Sequence, residues 1–276
     1  MQEAIVLAVH GMGDTPENFA ADLEERLADR LGDAWLRVYF DSIYYQNVFQ
    51  ENEERVMAAM QEVPLDSLAL RKFVLYGFSD ATGLEREAEK ANRPYQQVQS
   101  VIRGTLKRAF DFLGGPRPVL IIAQSLGCQV LSNYLWDAQK RSPSRGVWRA
   151  PRTRRGTRLD DFLRLKTLKY FYTTGCNIPI FLAGFPEESI KAVKVDSGGY
   201  AFRWKNFYDE DDVLGWPLKP LSASYADAVH ADVPVNAGGS LLGHLTHGWN
   251  ALSHLRYWED GEVLTPLAAD IERLLS

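Results

Sequence analysis

Ser125 is placed where a serine side chain can act as a nucleophile. It lies between an apolar run over 118–122, which predicts a strand, and a pattern over 126–140 that predicts a helix. A serine at the apex of a strand–turn–helix is held in a strained backbone conformation, and the crowded backbone admits only small residues two positions before and after it. Those positions are Ala123 and Gly127. We therefore expect Ser125 to attack a carbonyl carbon.

A serine nucleophile needs a base that removes its proton and an acid that orients the base. Where the serine sits on such a turn, the acid and then a histidine follow it along the chain. Residues 206–213, at the end of a predicted strand over 200–208, contain three aspartates. We favour Asp212, because the largely apolar stretch over 213–218 suits a turn that buries one carboxylate; Asp211 is the alternative.

Four histidines follow the serine, and their positions relative to the last predicted strand, 232–236, separate them. His230 precedes that strand and is therefore expected at the wrong end of it. His254 lies between the strand and the closing helix, where the base is expected, and aromatic residues at 257–258 can wall the site. We select His254 as the base, with His247 of the same loop as the alternative.

Other chemistry receives little support from the sequence. His244 and His247 are near enough in sequence to share a metal ion, but no third ligand follows at a suitable spacing. We therefore predict no metal site, and no motif indicates a cofactor. The two cysteines, Cys128 and Cys176, lie in segments with the character of core elements and predict no disulfide framework.

Acyl transfer also needs two backbone N–H groups directed at the oxygen that becomes negative. The Leu126 amide, directly after the serine at a helix N-terminus, is one expected donor. The Met12 amide is the other, because Gly11 and Gly13 let the loop after the first strand approach a substrate closely. A phosphate-binding loop over 10–15 is the competing interpretation, but the segment lacks the lysine and the glycine spacing of such loops.

The remaining pattern describes the elements that must position these groups. Strands are predicted over 4–9, 35–40, 118–122, 168–174, 200–208 and 232–236, and helices from Thr15 and Pro16 onward and over 94–113, 126–140 and 263–275. Alternating strands and helices predict an α/β fold, with a mainly parallel sheet covered by helices on both faces. Ligands of such sheets bind at the carboxyl ends of the strands, where the candidate residues fall.

The chain, residues 1–276, is predicted to be one domain with two additions, since no linker separates two cores. Residues 41–92 contain helical stretches and no regular strand, and we interpret them as a helical insertion or lid. Residues 141–158 contain seven arginines and no acidic residue, which predicts an exposed basic loop. The favoured interpretation is a solvated insertion, and the alternative is contact with an anionic lipid, phosphate or partner protein.

Charge and hydropathy restrict the partners and the location. A net charge of −5 gives no indication of a nucleic-acid partner. No apolar run approaches the length of a membrane span, so we predict no transmembrane segment. The first strand lacks a basic flank, which argues against a signal peptide and makes the cytoplasm the expected location.

With these residues assigned, the sequence resembles the α/β-hydrolase superfamily over most of its length. The segment 206–221 is similar to the acid-bearing segment of DDHD-type phospholipases, in which Asn-x-Tyr is followed by Asp-Pro-Val and then by an aromatic residue and Leu-x-Pro-Leu. Aligned without gaps, the aspartate of that pattern falls on Asp212. The stretch at 253–258 is similar to the histidine segment of bacterial lipase-like hydrolases and supports His254.

Two departures accompany the resemblance, because Ala123 replaces a glycine and Val213 replaces a proline. The resemblance implies the α/β-hydrolase fold and a serine hydrolase that cleaves a carboxylic ester through an acyl-enzyme. A small-molecule ester is the expected substrate. The alternatives are a lipase or phospholipase acting on long-chain lipid esters, and a non-catalytic interaction protein on a hydrolase scaffold, whose binding element would be the basic loop.

Overall fold

Six strands form one parallel sheet in the computed structural model, which describes residues 1–13, 15–48, 50–61, 94–140, 146–149, 153–195, 201–237, 254 and 256–276. The strands are β1 (Ala4–Val9), β2 (Val38–Ile43), β3 (Val119–Gln124), β4 (Leu168–Thr174), β5 (Arg203–Asp209) and β6 (Val229–Val235). Their order is β2-β1-β3-β4-β5-β6, and all neighbours are parallel. The chain thus leaves β1 toward β2 and returns on the other side at β3. Sheets of this kind bind ligands at the carboxyl ends of the strands that flank such a switch point.

Helices cover both faces of the sheet. Their bounds are α1 (Ala21–Leu31), α2 (Gln50–Gln61), α3 (Pro94–Leu113), α4 (Leu126–Gln139), α5 (Arg158–Leu163), α6 (Ile178–Leu182), α7 (Ala223–Ala228) and α8 (Gly261–Leu275). The apolar residues of α3 and α4 form a core on one face, and those of α1 and α8 form a core on the other. Alternate residues of β1 belong to the two cores, and the whole strand is buried. The predicted α/β fold class is confirmed.

The central elements have the bounds that their patterns predict. β1, β4 and α3 coincide with 4–9, 168–174 and 94–113, and β3 and α4 differ from their predictions by two residues or fewer. Long apolar runs and an unbroken helical period define these elements locally, so little depends on their neighbours.

The strands on either side are shifted by up to three residues from their predicted bounds. β2 begins at Val38, because its register is set by pairing with β1 from Ala4 onward. It therefore ends inside 41–92, where no strand was expected. β6 begins at Val229, so His230 lies within the strand with an exposed side chain, and the prediction that it precedes the strand is wrong.

α1 begins at Ala21, so the predicted start at Thr15 and Pro16 is wrong. The Thr15 carbonyl accepts a hydrogen bond from the Tyr44 hydroxyl (3.0 Å), which ties this segment to the chain after β2. Pro16 instead opens a separate turn, in which its carbonyl accepts from the Phe19 amide (3.1 Å). The residues before the helix therefore form a wall beside the carboxyl end of β1.

Of the basic loop predicted over 141–158, residues 141–145 and 150–152 lie outside the described residues, and those that are described are only partly exposed. Gly146–Trp148 form a buried 3₁₀ turn, and the Val147 amide donates to Gln99 Oε1 on α3 (3.0 Å). The Arg164 guanidinium lies 4.3 Å from the centre of the Trp148 ring, and that of Arg103 lies 5.8 Å from it. Two apolar residues within the arginine-rich stretch thus attach it to the domain, which corrects the expectation of a wholly solvated segment.

The predicted insertion 41–92 is described only in part. α2 agrees with the helical stretch expected around 48–60. Residues 62–93 lie outside the described residues, so the lid stays a prediction, as does the single-domain organisation. None of the described helices combines the length and apolar character that a bilayer crossing requires. Cys128 and Cys176 are both buried and free, in agreement with their predicted core positions.

Candidate active site

Ser125 lies on a sharp turn between β3 and α4. Its φ of 52° is in the left-handed region, which costs a residue with a Cβ free energy and is therefore sustained by its surroundings. The Ser125 amide continues the sheet ladder by donating to the Thr174 carbonyl (2.9 Å). Although Ser125 occupies the N-cap of α4, its side chain does not cap the helix. Its hydroxyl is thereby left for another partner.

The turn closes only because Gly127 has no side chain. A Cβ at this position would lie 2.3 Å from the His10 carbonyl oxygen and 3.0 Å from that of Val9. The first turn of α4 therefore rests directly on the carboxyl end of β1. Ala123, two residues before the serine, is fully buried, as expected for the other small position.

Ser125, His254 and Asp212 form a continuous hydrogen-bonded chain. The Ser125 Oγ lies 2.7 Å from His254 Nε2, and His254 Nδ1 lies 2.8 Å from Asp212 Oδ2. Because a carboxylate accepts, Nδ1 carries the proton and Nε2 is free to accept from the serine hydroxyl. All three side chains are buried, with residue exposures of 2%, 2% and 3%. Low exposure strengthens these interactions, since water does not compete for the same groups.

The loop after β5 decides which aspartate enters the site. The Asp212 amide donates to the Asp209 carbonyl (3.1 Å), and the Asp211 amide donates to Asp209 Oδ1 (2.9 Å). This turn directs the Asp212 carboxylate inward and leaves Asp211 exposed. The structure therefore brings Asp212, and not Asp211, to the histidine. His247, the alternative base, lies outside the described residues.

Asp212 is held in the charged form by its donors. Oδ2 accepts from the Tyr257 hydroxyl (2.8 Å) as well as from His254, and Oδ1 accepts from the Leu214 amide (3.0 Å). Burial alone raises the pKa of Asp212, but hydrogen bonds from His254, Tyr257 and Leu214 outweigh it and leave the pKa below its usual value. A carboxylate of this kind stays ionised and stabilises an imidazolium beside it.

The backbone carbonyl of His254 also has a defined partner. The Gln124 side chain donates through Nε2 to the His254 carbonyl (2.5 Å), which links the residue before the serine to the residue that carries the imidazole. Gly175 lies behind the ring at φ 53°, and a Cβ there would come within 3.1 Å of His254 Nδ1. The residue that follows β4 therefore packs closely against the histidine ring.

The loop after β1 lies against the serine, as the oxyanion-hole prediction requires. A Cβ at Gly11 would lie 2.8 Å from Ser125 Cβ, so only glycine permits this approach. Leu126 is the first residue of α4, where a backbone N–H has no partner within the helix. Met12 follows Gly11 directly and is half-buried. Both expected amide donors thus belong to segments that border the Ser125 side chain.

His10 holds this loop as a neutral imidazole. Its Nδ1 donates to the Gly11 carbonyl (2.8 Å), its Nε2 accepts from the Tyr45 amide (3.0 Å), and its ring stacks on that of Tyr45 at 3.9 Å. Burial lowers the pKa of His10 to about 4. The Tyr45 hydroxyl in turn donates to the His10 carbonyl (2.9 Å). Sequence reasoning missed this support, because no pattern links residues 10 and 45.

A cleft of about 330 Å³ opens beside the serine. Its walls are the loop after β1, the start of α1 and the segment that carries His254, with Phe19, Leu23 and Trp258 among the apolar side chains. Its size is at the lower end of pockets that enclose small organic ligands. Among the described residues, no three histidine, cysteine or acidic side chains converge as metal ligands. His244, of the pair considered above, lies outside those residues.

The protein has the α/β-hydrolase fold. This fold is defined by the order of the strands together with a strained serine after β3, an acid after β5 and a histidine after β6. This is the fold that the sequence predicted, and the site occupies the carboxyl ends of the strands, where the switch point lies.

The similarities to known proteins are to solved structures. No protein-family model matches the sequence, and no curated protein matches it significantly. The chain is similar to a solved variant of SOBER1 from Arabidopsis thaliana, with 12% identity, 99% of this chain and 100% of that chain covered, and a TM-score of 0.46. It is also similar to a carboxylesterase from Lactobacillus plantarum, with 14% identity, 100% of this chain and 88% of that chain covered, and a TM-score of 0.44. A third similar structure is the RedJ thioesterase from Streptomyces coelicolor, with 10% identity, 98% of this chain and 89% of that chain covered, and a TM-score of 0.41. Because these TM-scores are low, the fold assignment rests on this chain's own sheet and serine turn.

Proposed function

We propose that this protein is a serine hydrolase that cleaves a carboxylic ester through an acyl-enzyme. The observation that carries the proposal is the buried Ser125–His254–Asp212 chain, whose two hydrogen bonds measure 2.7 and 2.8 Å. A serine hydroxyl becomes nucleophilic at neutral pH when a neutral imidazole can take its proton, and this geometry supplies that imidazole in the required tautomer.

Each residue then has a defined role. As Ser125 Oγ bonds to the ester carbonyl carbon, its proton moves to His254 Nε2, and Asp212 stabilises the resulting imidazolium. The carbonyl oxygen becomes negative and accepts hydrogen bonds from the Leu126 and Met12 amides. When the tetrahedral intermediate breaks down, the alcohol leaves with the proton from His254, and the acyl group remains on Ser125.

Water completes the cycle by the same route. His254 takes a proton from a water molecule that attacks the acyl carbon, and then returns it to Ser125 Oγ as the carboxylic acid departs. Every proton that His254 removes is returned within the cycle, so the proton transfers balance with Ser125, His254 and water alone.

The size of the cleft supports a small ester as the substrate. A volume of about 330 Å³ beside Ser125 suits a small ester better than a long acyl chain. A lipid ester is the second candidate, because four exposed apolar side chains follow the carboxyl ends of β4 and β5: Ile180, Phe185, Val213 and Trp216. Exposed apolar side chains favour contact with a lipid surface where they form one patch. A series of p-nitrophenyl esters from acetate to palmitate, with and without vesicles, separates the two.

Intact-mass labelling with a fluorophosphonate tests the mechanism. Stoichiometric labelling of the wild type, mapped to Ser125, with no adduct in Ser125→Ala and a large loss of rate in His254→Ala, is expected. Ser132→Ala is the matched control, since Ser132 lies in α4 outside the chain of hydrogen bonds and should label as the wild type does. Folded wild type that fails to label would contradict the proposal and favour an interaction protein on a hydrolase scaffold.

A further inference from the structure

The Tyr257 hydroxyl shares an oxygen atom of Asp212 with the histidine. It donates to Asp212 Oδ2 at 2.8 Å, and the same oxygen accepts from His254 Nδ1 at 2.8 Å. The direction of the tyrosine bond is fixed by a third group, because the Asp209 amide donates to the tyrosine oxygen (2.8 Å). An amide N–H can only donate, so the single hydroxyl proton of Tyr257 is directed at Asp212.

Two glycines make room for this contact. A Cβ at Gly215 would lie 2.5 Å from Asp212 Oδ2 and 2.8 Å from the Tyr257 hydroxyl oxygen. A Cβ at Gly175 would lie 2.8 Å from the edge of the Tyr257 ring and 3.1 Å from the His254 ring. A larger residue at either position would push apart the atoms that meet at Asp212. The contact is therefore built into the packing on two sides.

The environment makes the tyrosine bond effective. Tyr257 is fully buried, so no water replaces its proton at Asp212. Tyr257 precedes Trp258 in a 3₁₀ turn, three residues after His254, and the same short segment thus carries both donors to Oδ2. A hydrogen bond to a carboxylate favours its charged form and lowers its basicity, so an oxygen that accepts from Tyr257 is a weaker acceptor for His254.

We propose that Tyr257 is a positioning residue that fixes Asp212 Oδ2 beneath His254 and moderates the hydrogen bond between them. Its effect on turnover rests on the proposed function, but its effect on the histidine proton does not. A merely structural tyrosine would fill the same space without changing the strength of the His254 Nδ1–H bond to Asp212.

Tyr257→Phe removes the hydroxyl and keeps the ring. The matched control is Tyr172→Phe, because Tyr172 is also buried and also donates to a buried carboxylate, Asp270 (2.6 Å), outside the site. Proton NMR of histidine-labelled protein follows the Nδ1–H resonance of His254, assigned by its loss in His254→Ala. We expect this resonance to move downfield in Tyr257→Phe and to stay in place in Tyr172→Phe.

Kinetics supply the second measurement. Tyr257→Phe is expected to lower kcat about tenfold and to leave KM within about twofold, because Asp212 Oδ2 loses the donor that fixes its position while no substrate contact changes. An unmoved His254 resonance in folded Tyr257→Phe, or equal movement in both variants, would overturn the proposal. A moved resonance in a protein that never labels at Ser125 would retain the positioning role and reject the hydrolase.

A modification that keeps every tyrosine ring and hydroxyl covers the case in which Tyr257→Phe does not fold. Incorporation of 3-fluorotyrosine makes the hydroxyl a stronger donor and is expected to move the His254 resonance upfield. The same labelling in Tyr172→Phe should give the same movement, because Tyr257 is still present there. No movement on fluorination would reject the proposal independently of the phenylalanine variant.

Discussion

Gly127 rests on the carbonyl oxygen of His10, so that a Cβ at position 127 would lie 2.3 Å from that atom. The contact joins the helix after the serine to the loop after β1, and it holds together the two segments that carry the expected oxyanion-hole amides. Backbone oxygen atoms cannot swing aside as the end of a long side chain can.

Gly127→Ala is therefore expected to lower the free energy of unfolding by at least about 2 kcal/mol and to slow labelling of Ser125. Gly104→Ala is the control, because a Cβ at Gly104, in the interior of α3, meets no atom within 4 Å. That change should stabilise the protein by about 0.5–1 kcal/mol. Urea unfolding of both variants measures the difference, and a well-tolerated alanine at 127 would contradict the tight contact.

Asp212→Asn should reduce kcat/KM about a thousandfold or more, because an amide favours the wrong tautomer of His254 and cannot stabilise its cation. Asp211→Asn should stay within about twofold of the wild type, since Asp211 is exposed and contributes only its amide to the turn. Initial rates on one ester compare the two variants. Equal losses in both would show that the turn, and not the Asp212 carboxylate, matters.

His10 makes the stability of the protein depend on pH. The buried imidazole, with its pKa lowered to about 4, binds a proton less readily than the same histidine in the unfolded chain. The unfolded state therefore takes up the proton first, and the stability that is present at neutral pH is lost as the pH falls from about 6.5 to about 4. The contribution amounts to roughly 3 kcal/mol at the lower pH.

His10→Gln tests this dependence, because a glutamine oxygen can accept from the Tyr45 amide but does not titrate in this range. Unfolding free energies of wild type and variant, measured between pH 7 and pH 4, should converge as the pH falls. Parallel curves for the two proteins would rule out His10 as the source of the dependence.

Arg164, whose guanidinium lies over the Trp148 ring of the basic stretch, forms a buried ion pair in which its Nε is 3.0 Å from Asp160 Oδ2. Arg164→Leu leaves the Asp160 carboxylate buried without its cation and should cost about 3 kcal/mol or more. The double variant Asp160→Asn with Arg164→Leu should recover part of this loss. Equal stabilities of single and double variants, by chemical denaturation, would assign the effect to the other contacts of Arg164, with the Trp148 ring and the Ala138 carbonyl.

Sequence patterns predicted the parts of the fold that are defined locally. The apolar runs of β1 and β4 and the helical period of α3 gave their bounds directly, whereas β2 and β6 take theirs from register with a neighbour. The predicted start of α1 is wrong, because Thr15 and Pro16 are residue types that often begin a helix but lie here in a loop that Tyr44 contacts. Such a long-range contact leaves no local signal.

The candidate site shows the same division. Ser125 and His254 are predicted from their positions after strands. In the structure Ser125 Oγ lies 2.7 Å from His254 Nε2. The pattern favours Asp212 with Asp211 as the alternative, and the turn at Asp209 brings only the Asp212 carboxylate to the histidine. Tyr257 was expected only as part of a wall, because nothing in the sequence shows that its hydroxyl reaches Asp212. The roles of these residues in catalysis stay predictions.

The hydrogen bond from Ser125 to His254 spans 129 residues of chain, and that from His254 to Asp212 spans 42. Closing such large loops is entropically costly and is repaid only when the intervening strands have docked. A partly folded chain therefore lacks the hydrogen bonds among Ser125, His254 and Asp212, even if the turn that carries Ser125 has already formed. Reactivity of the serine during refolding would then report the last step of assembly, and a newly synthesised chain would stay unreactive until the residues around His254 had packed beside the serine.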